Sequence, residues 1–303
     1  MPLWGLDMGG TKIEGVLLES VENAQVIKRL RIDTEASQGY EHILNRIALL
    51  VNQLTEETGH VPERIGIGTP GSLDPNSQML KNSNTTCLNG MPLQSDLEAK
   101  LKLPLVMAND ANCFALAETR LGVVKRAMPQ AEVVFGVIMG TGVGGGVVIN
   151  GKVINGRQGI GGEWGHNFLD ESGGPCYCGK VGCVERVISG PALQRYYQSV
   201  SGKELTLKEI MKNYEAGNDP DAQATVERLL EMFGKAISVV INILDPDVVV
   251  LGGGVSNIDL LYTKGIEQVH KYVFNNRLDT VFLKPELGDS AGVFGAAMLV
   301  VAP

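Results

Sequence analysis

The sequence predicts an α/β protein made of two similar domains. Three observations predict it. The chain has 303 residues, enough for two cores at roughly 150 residues each. A glycine-tipped hairpin pattern occurs twice, about 130 residues apart. Short apolar strands also alternate with amphipathic helices along the chain, the order that builds α/β layers.

The first hairpin begins with the apolar run Leu3 to Asp7, turns at Gly9-Gly10-Thr11, and resumes at Ile13 to Leu18 with residues suited to a strand. The second repeats this at Val133 to Met139, Gly140-Thr141-Gly142 and Val143 to Ile149. Between them, Tyr40 to Thr58 places Ile43, Leu44, Ile47, Leu50, Val51 and Leu54 at helical spacing, with Gly59 where a C-terminal cap belongs. Arg64 to Thr69 is expected to be a strand entering the turn Pro70-Gly71. Leu103 to Met107 is expected to be a buried strand ending at Asn109-Asp110, and Ala111 to Leu121 a helix stopped by Gly122. In the second half, Ala222 to Leu244 aligns Val226, Leu229, Leu230, Phe233, Ile237, Val240, Ile241 and Leu244 in one stripe, predicting a long core helix. Asp245-Pro246-Asp247 ends it, Val248 to Leu251 reads as a buried strand, and Gly252-Gly253-Gly254 follows.

Composition narrows the function. Lys plus Arg total 26 and Asp plus Glu 34, a net charge of −8 with pI near 5.1. Positive charge is not clustered, which disfavours a nucleic-acid partner. No basic stretch followed by an apolar core opens the chain, so a cytoplasmic location is expected. The uncharged run Val133 to Gly151 is broken by glycines around Gly140 to Gly146, unlike a membrane helix. Glycine itself is abundant, 38 residues, against a usual ~7 %.

Gly140-Thr141-Gly142-Val143-Gly144-Gly145 satisfies G-x-G-x-x-G, and Glu163 falls near the place of a ribose-binding acid. A dinucleotide site, however, needs a helix opening inside the glycines. The sequel Gly146-Val147-Val148-Ile149-Asn150-Gly151 is β-branched and ends in a hairpin signal. A Walker loop is also absent, because the Gly-Lys pairs are followed by Val153, Val181, Glu204 and Ala236. What remains is either tight structural hairpins or turns whose bare N–H groups and Thr hydroxyls approach phosphate oxygens. Asp7 beside the first turn is either a turn cap or a carboxylate placed to hold Mg²⁺.

Cys176, Cys178 and Cys183, with His166 upstream, offer three sulfurs and one imidazole, the donor set of a closed structural zinc site. Disulfides and free core thiols are the competing readings. Cys87 and Cys113 are expected to be packing residues, and His42, His60 and His270 surface or core histidines. Asp110, Glu163 and Glu185 sit where loops leave regular structure. Asp110 is either the N-cap of the next helix or a base for an attacking hydroxyl. The acids together suit a polyhydroxyl ligand.

These residues jointly resemble the ROK group (repressor, open reading frame, kinase) of sugar kinases, within the set sharing the actin and hexokinase ATPase fold. The resemblance covers essentially the whole chain. It rests on Asp7-Met8-Gly9-Gly10-Thr11-Lys12, Asn109-Asp110-Ala111-Asn112, Gly140 to Gly146, Gly162-Glu163-Trp164-Gly165-His166, the cysteine cluster and Gly252-Gly253-Gly254.

The resemblance implies an actin/hexokinase-like fold with a ligand cleft between a small domain, 1–118 plus a C-terminal helix 291–303, and a large domain, 119–290, carrying the zinc loop. It implies that Asp7, Gly9, Gly10, Thr11 and Lys12, with Gly140, Thr141 and Gly142, hold ATP phosphates and Mg²⁺, while Gly252, Gly253 and Gly254 lie near the adenosine. It implies that Asp110 deprotonates the sugar hydroxyl, and that Asn84, Asn109, Asp110, Glu163, His166 and Glu185 hold the sugar. One nitrogen of His166 would serve zinc and the other the sugar. A homodimer is implied as well.

The segments 81–90, 163–167 and 175–179 resemble the bacterial fructokinase or mannokinase branch, which makes D-fructose the expected acceptor, giving fructose 6-phosphate. Glucose, mannose and N-acetylhexosamines are the alternatives. A repressor of the same group would need a DNA-binding helix pair before the first hairpin, for which Asp7 leaves no room. An actin-fold ATPase without a sugar, or a zinc dehydrogenase with an open metal position, are the competing classes.

Overall fold

The computed structural model describes residues 2–301. The chain divides into two compact units. One comprises the chain up to Pro129, Gly146–Gly161 and the chain from Glu286 onward; the other comprises Gln130–Gly145 and Gly162–Pro285. The sequence placed the division after residue 118, whereas in the fold it follows Pro129, and Gly146–Gly161 belongs with the first unit.

The chain opens with β1 (Leu3–Met8), β2 (Lys12–Leu18) and β3 (Val26–Asp33), followed by α1 (Tyr40–Thr58) and β4 (Ile65–Thr69). The short strands β5 (Ser72–Leu73) and β6 (Leu80–Lys81) precede α2 (Leu93–Leu101), β7 (Leu105–Asn109), α3 (Asp110–Arg120) and α4 (Val123–Ala127). Next come β8 (Val133–Met139), β9 (Val143–Ile149) and β10 (Lys152–Val153). The long loop that follows leads to α5 (Val184–Ile188), α6 (Gly190–Ser201), α7 (Leu207–Ala216) and α8 (Pro220–Leu244). Last are β11 (Val248–Gly252), α9 (Lys264–Tyr272), β12 (Val281–Leu283) and α10 (Ala291–Met298).

The first sheet has the order β3-β2-β1-β4-β7 and the second β10-β9-β8-β11-β12. In the first, β1 pairs antiparallel with β2 and parallel with β4, which is parallel to β7. In the second, β8 is parallel to β11 and β11 to β12. Each sheet is thus a glycine-tipped hairpin with one further strand on one edge and two parallel strands on the other, the repetition the sequence predicts.

In the first unit, Ile43, Ile47, Leu50 and Leu54 of α1 close over Leu6, Ile13, Leu17 and Ile67. Gly59 caps α1 at φ 71°, a left-handed position that favours glycine. A Cβ on Gly5 would lie 2.4 Å from the Val293 carbonyl oxygen, and one on Gly66 1.8 Å from that of Ala296. These glycines therefore let the small-residue helix α10 lie directly on β1 and β4. The helix expected to run to residue 303 ends at Met298; residues 302 and 303 lie outside those described.

The strand expected at Leu103 begins two residues later, at Leu105. Pro104 has no N–H for the ladder, and its carbonyl instead accepts from Ile65 N at 3.3 Å. In the second unit, Asp219 caps α8 by accepting from Asp221 N and Ala222 N, both at 3.0 Å. Val240 and Leu244 are only half-buried on that helix. Asp247, past the break, accepts from Glu132 N and Val133 N at 2.9 Å and ties β11 to β8. No helix among the described residues is long and apolar enough to cross a membrane.

Candidate active site

Each unit carries one part of the expected residue set. In the first, β1 delivers Asp7 to the end of the sheet, and the pairing places Gly68 of β4 beside it. A Cβ on Gly68 would sit 3.1 Å from Asp7 Oδ1, and one on Gly292 of α10 2.8 Å from Oδ2. The carboxylate occupies the space two missing side chains leave.

Across the hairpin, Glu14 lies opposite Asp7, and Arg31 lies opposite Glu14 on β3. Glu14 is buried and bonds Arg29 and, at 2.6 Å, Arg31 Nη2. Burial, then the nearby Asp110 and Glu14 charges, push the Asp7 carboxyl up to about 7, against partial relief from Lys12 and Arg31. Such a proton-retaining carboxylate among acids fits a divalent cation, whose charge would favour the ionised form.

Asp110 is the first residue of α3, and Asn109 rather than Asp110 is its N-cap, accepting from Ala111 N at 2.9 Å. Asp110 Oδ1 accepts from the same N–H at 2.7 Å. The first glycine turn is closed by Gly9 N donating to Lys12 O at 2.9 Å. It is tied to the end of β3 by the Thr34 hydroxyl donating to Gly9 O at 2.7 Å. Thr11 and Lys12 are exposed there. Asn84, also exposed, precedes Thr85, whose hydroxyl is 3.1 Å from where a Gly10 Cβ would be. A cavity of about 190 Å³ borders Asn109 and is lined by Ser72, Leu73, Gln78, Met107 and Asn155 among others.

In the second unit the turn Gly140-Thr141-Gly142 is braced by α5 and α6. Val143 N donates to Glu185 Oε2 at 3.0 Å, and Gly190 N donates to Gly140 O at 2.9 Å. A Cβ on Gly142 would stand 2.5 Å from that Glu185 oxygen. Gly252 pairs with Ile138, and Gly253, at φ 83°, crosses the Met139 carbonyl so closely that a Cβ would lie 2.4 Å from it. The fold therefore gathers Gly140 to Gly142 and Gly252 to Gly254 at one end of β8 and β11.

Glu163 precedes a single 3-10 turn, Trp164–His166. Trp164 anchors that turn, its indole N–H donating to Gly144 O at 2.9 Å and its ring meeting Phe135 edge-on at 5.7 Å. Burial raises the Glu163 pKa, the Glu185 charge adds to it, and His166 opposes it, so all three groups lie within charge reach.

The donor atoms of His166, Cys176, Cys178 and Cys183 lie within 4.8 Å of one another. A tetrahedron with ~2.3 Å metal–sulfur bonds has edges of about 3.8 Å. The Cys178–Cys183 sulfur pair at 3.5 Å and His166 Nδ1 at 3.7 Å from Cys176 Sγ fit it. The cysteines are unpaired by disulfides, and the donor set fits Zn²⁺.

The model described as ROK family matches residues 3–302. The chain belongs to the ROK family. It is similar to the N-acetyl-D-glucosamine kinase of Aliivibrio salmonicida (strain LFI1238), 36 % identical over 307 residues and covering 98 % of each chain. Among solved structures it is similar to a ROK hexokinase from Thermus thermophilus, TM-score 0.87 and 31 % identity, covering 99 % of this chain and 97 % of that one. It is also similar to a ROK family glucokinase from Streptomyces griseus in complex with glucose and AMPPNP, TM-score 0.77 and 28 % identity, covering 99 % of both.

These relatives do not support the fructokinase and mannokinase branch expected from the sequence. Segments 163–167 and 175–179, on which that expectation leaned, supply the Trp164 anchor and the His166, Cys176 and Cys178 atoms of the cluster that fits a metal ion.

Three residues of this ROK chain escaped the sequence reading. Glu14 looks like an exposed strand position until its pairing with Asp7 is known. Cys113, expected only to pack, has its sulfur 3.2 Å from the Gly68 Cβ position, beside Asp7. Burial, then Asp7 and Asp110, raise its pKa and keep it a thiol. Tyr177 sits between Cys176 and Cys178, and its spacing gave no hint of its contacts.

Proposed function

We propose that this protein is an ATP-dependent hexose kinase that transfers the γ-phosphate to a sugar 6-hydroxyl, with an N-acetylhexosamine as its preferred acceptor. The observation that carries this reading is the Asp7–Asp110 pair at the turn end of the first sheet. One carboxylate suits a metal-bound phosphate and the other a hydroxyl proton. Asp110 takes the proton as the sugar oxygen bonds to phosphorus, and the bond from phosphorus to the departing ADP oxygen breaks. Mg²⁺ held at Asp7 would supply neutralising charge for the phosphates.

The exposed Thr11 and Lys12, with the N–H groups of the glycine turns, suit the phosphate oxygens. Gly254, where a Cβ would meet nothing within 4 Å, leaves room for the nucleoside. Asn84, Asn109, Glu163, His166 and Glu185 supply acceptors and donors for sugar hydroxyls, while zinc at the His166 and cysteine donors would stiffen their loop.

The acceptor assignment rests on the relatives' names and on the cavity beside Asn109. Gln78, Asn155 and Met107 are among its lining residues, a mix of polar and apolar groups that suits an acetamido group. ADP release should be measured with N-acetylglucosamine, glucose, mannose and fructose at fixed Mg-ATP. N-acetylglucosamine should give the highest kcat/KM, and ATP turnover indifferent to every hexose would sink the kinase reading. Asp110→Asn should bind sugar and ATP yet lose about 10²–10⁴ in kcat; near wild-type turnover would remove Asp110 as the base.

A further inference from the structure

Tyr177 is 79 % exposed, so its ring does little for the core. Its hydroxyl oxygen nevertheless lies 3.0 Å from His166 Nε2, and its ring meets the imidazole edge-on at 5.1 Å and 87°. The Glu185 and Glu163 carboxylates are within charge reach of the phenol. His166 turns Nδ1 toward Cys176 at 3.7 Å, so Nε2 is the nitrogen left for a ligand. Both ring nitrogens of His166 are thus engaged by the protein itself.

We propose that Tyr177 is a sugar-binding residue, and that the contact expected from His166 Nε2 reaches the sugar through the Tyr177 hydroxyl. This rests on the hexose kinase reading for its ligand and extends it to a residue that reading does not use. With Nδ1 turned to the metal donors, the ring proton resides on Nε2 and is donated to the Tyr177 oxygen. The phenol proton is then left to donate to a sugar oxygen, beside Glu163 and Glu185, which accept from sugar hydroxyls. The exposed ring adds a flat apolar face with a polar tip, a combination suited to a ligand that is part C–H and part hydroxyl.

The test is equilibrium binding of N-acetylglucosamine and glucose by calorimetry, with zinc content by elemental analysis, for wild type, Tyr177→Phe and Tyr177→Ala. Tyr177→Phe should raise the sugar Kd about tenfold, the worth of one hydrogen bond to a charged network, with zinc content and ATP affinity unchanged. Tyr177→Ala, which also removes the ring, should raise it further. Equal or tighter sugar binding by Tyr177→Phe overturns the proposal, because the hydroxyl then merely plugs His166. Loss of zinc from Tyr177→Phe overturns it too, because the hydroxyl then serves the metal site. A wild type that binds sugar without transferring phosphate sinks the kinase reading while the Tyr177→Phe ratio still decides this one. A wild type that binds no hexose ends both.

Discussion

Asp7 holds its proton to about pH 7 in the fold and releases it near 3.8 when unfolded. The folded state therefore binds the extra proton between those values, and its contribution to stability is complete below about pH 4 and lost as pH rises through 7. Asp7→Asn keeps the shape between Gly68 and Gly292 without the charge. Without metal or nucleotide, the variant should be more stable than wild type by roughly 2–4 kcal/mol at pH 8 and closer to it at pH 5. Urea unfolding at both pH values checks this, and parallel slopes for the two proteins would show that Asp7 ionises normally. The sequence marks Asp7 because a strand ends on it beside a glycine turn. It does not mark Gly68, Gly292 or Glu14 as its neighbours, because only strand pairing and the docking of α10 bring them there.

At the scale of the element, the cluster of His166 with three cysteines was legible from cysteine spacing, since three thiols so close in sequence can meet without the rest of the fold. Cys178 is exposed, so Cys178→Ser removes one donor without opening the core. The variant should lose its zinc and raise the sugar Kd at least tenfold while the ATP Kd stays within about twofold, because Glu163 and His166 share that loop. Titration of both ligands with metal analysis tests this, and sugar affinity surviving zinc loss would end the bracing role.

Helix α7 was legible but overlooked. Its capping box, in which the Thr206 hydroxyl and Glu209 carboxylate exchange bonds with each other's N–H groups, stands in the sequence as Thr206-Leu207-Lys208-Glu209. Strand β3 was harder to read. Its Lys28, Arg29 and Arg31 blunt an exposed sheet edge, and such alternation carries too little apolar signal to separate from a loop.

At the scale of the molecule, the two hairpins announced the duplication, but the path between units did not show in the sequence, because Gly146–Gly161 and the chain from Glu286 return to the first unit through tertiary contacts. Glu118 secures the second return. Fully buried on α3, it accepts from Val123 N at 3.0 Å, Glu286 N at 3.0 Å and Leu287 N at 2.9 Å. Glu118→Ala strands those donors and should cost roughly 2–4 kcal/mol. The chain has two tryptophans, both buried, with Trp4 in the first unit and Trp164 in the second. Each therefore reports on one unit once the other is replaced by Phe. If each unit holds its own core, Glu118→Ala should move the urea transition seen by Trp4 to lower concentration and leave the Trp164 transition in place. An equal shift at both reporters would mean that the units unfold as one, and that the returning segments couple the cores instead of completing the first.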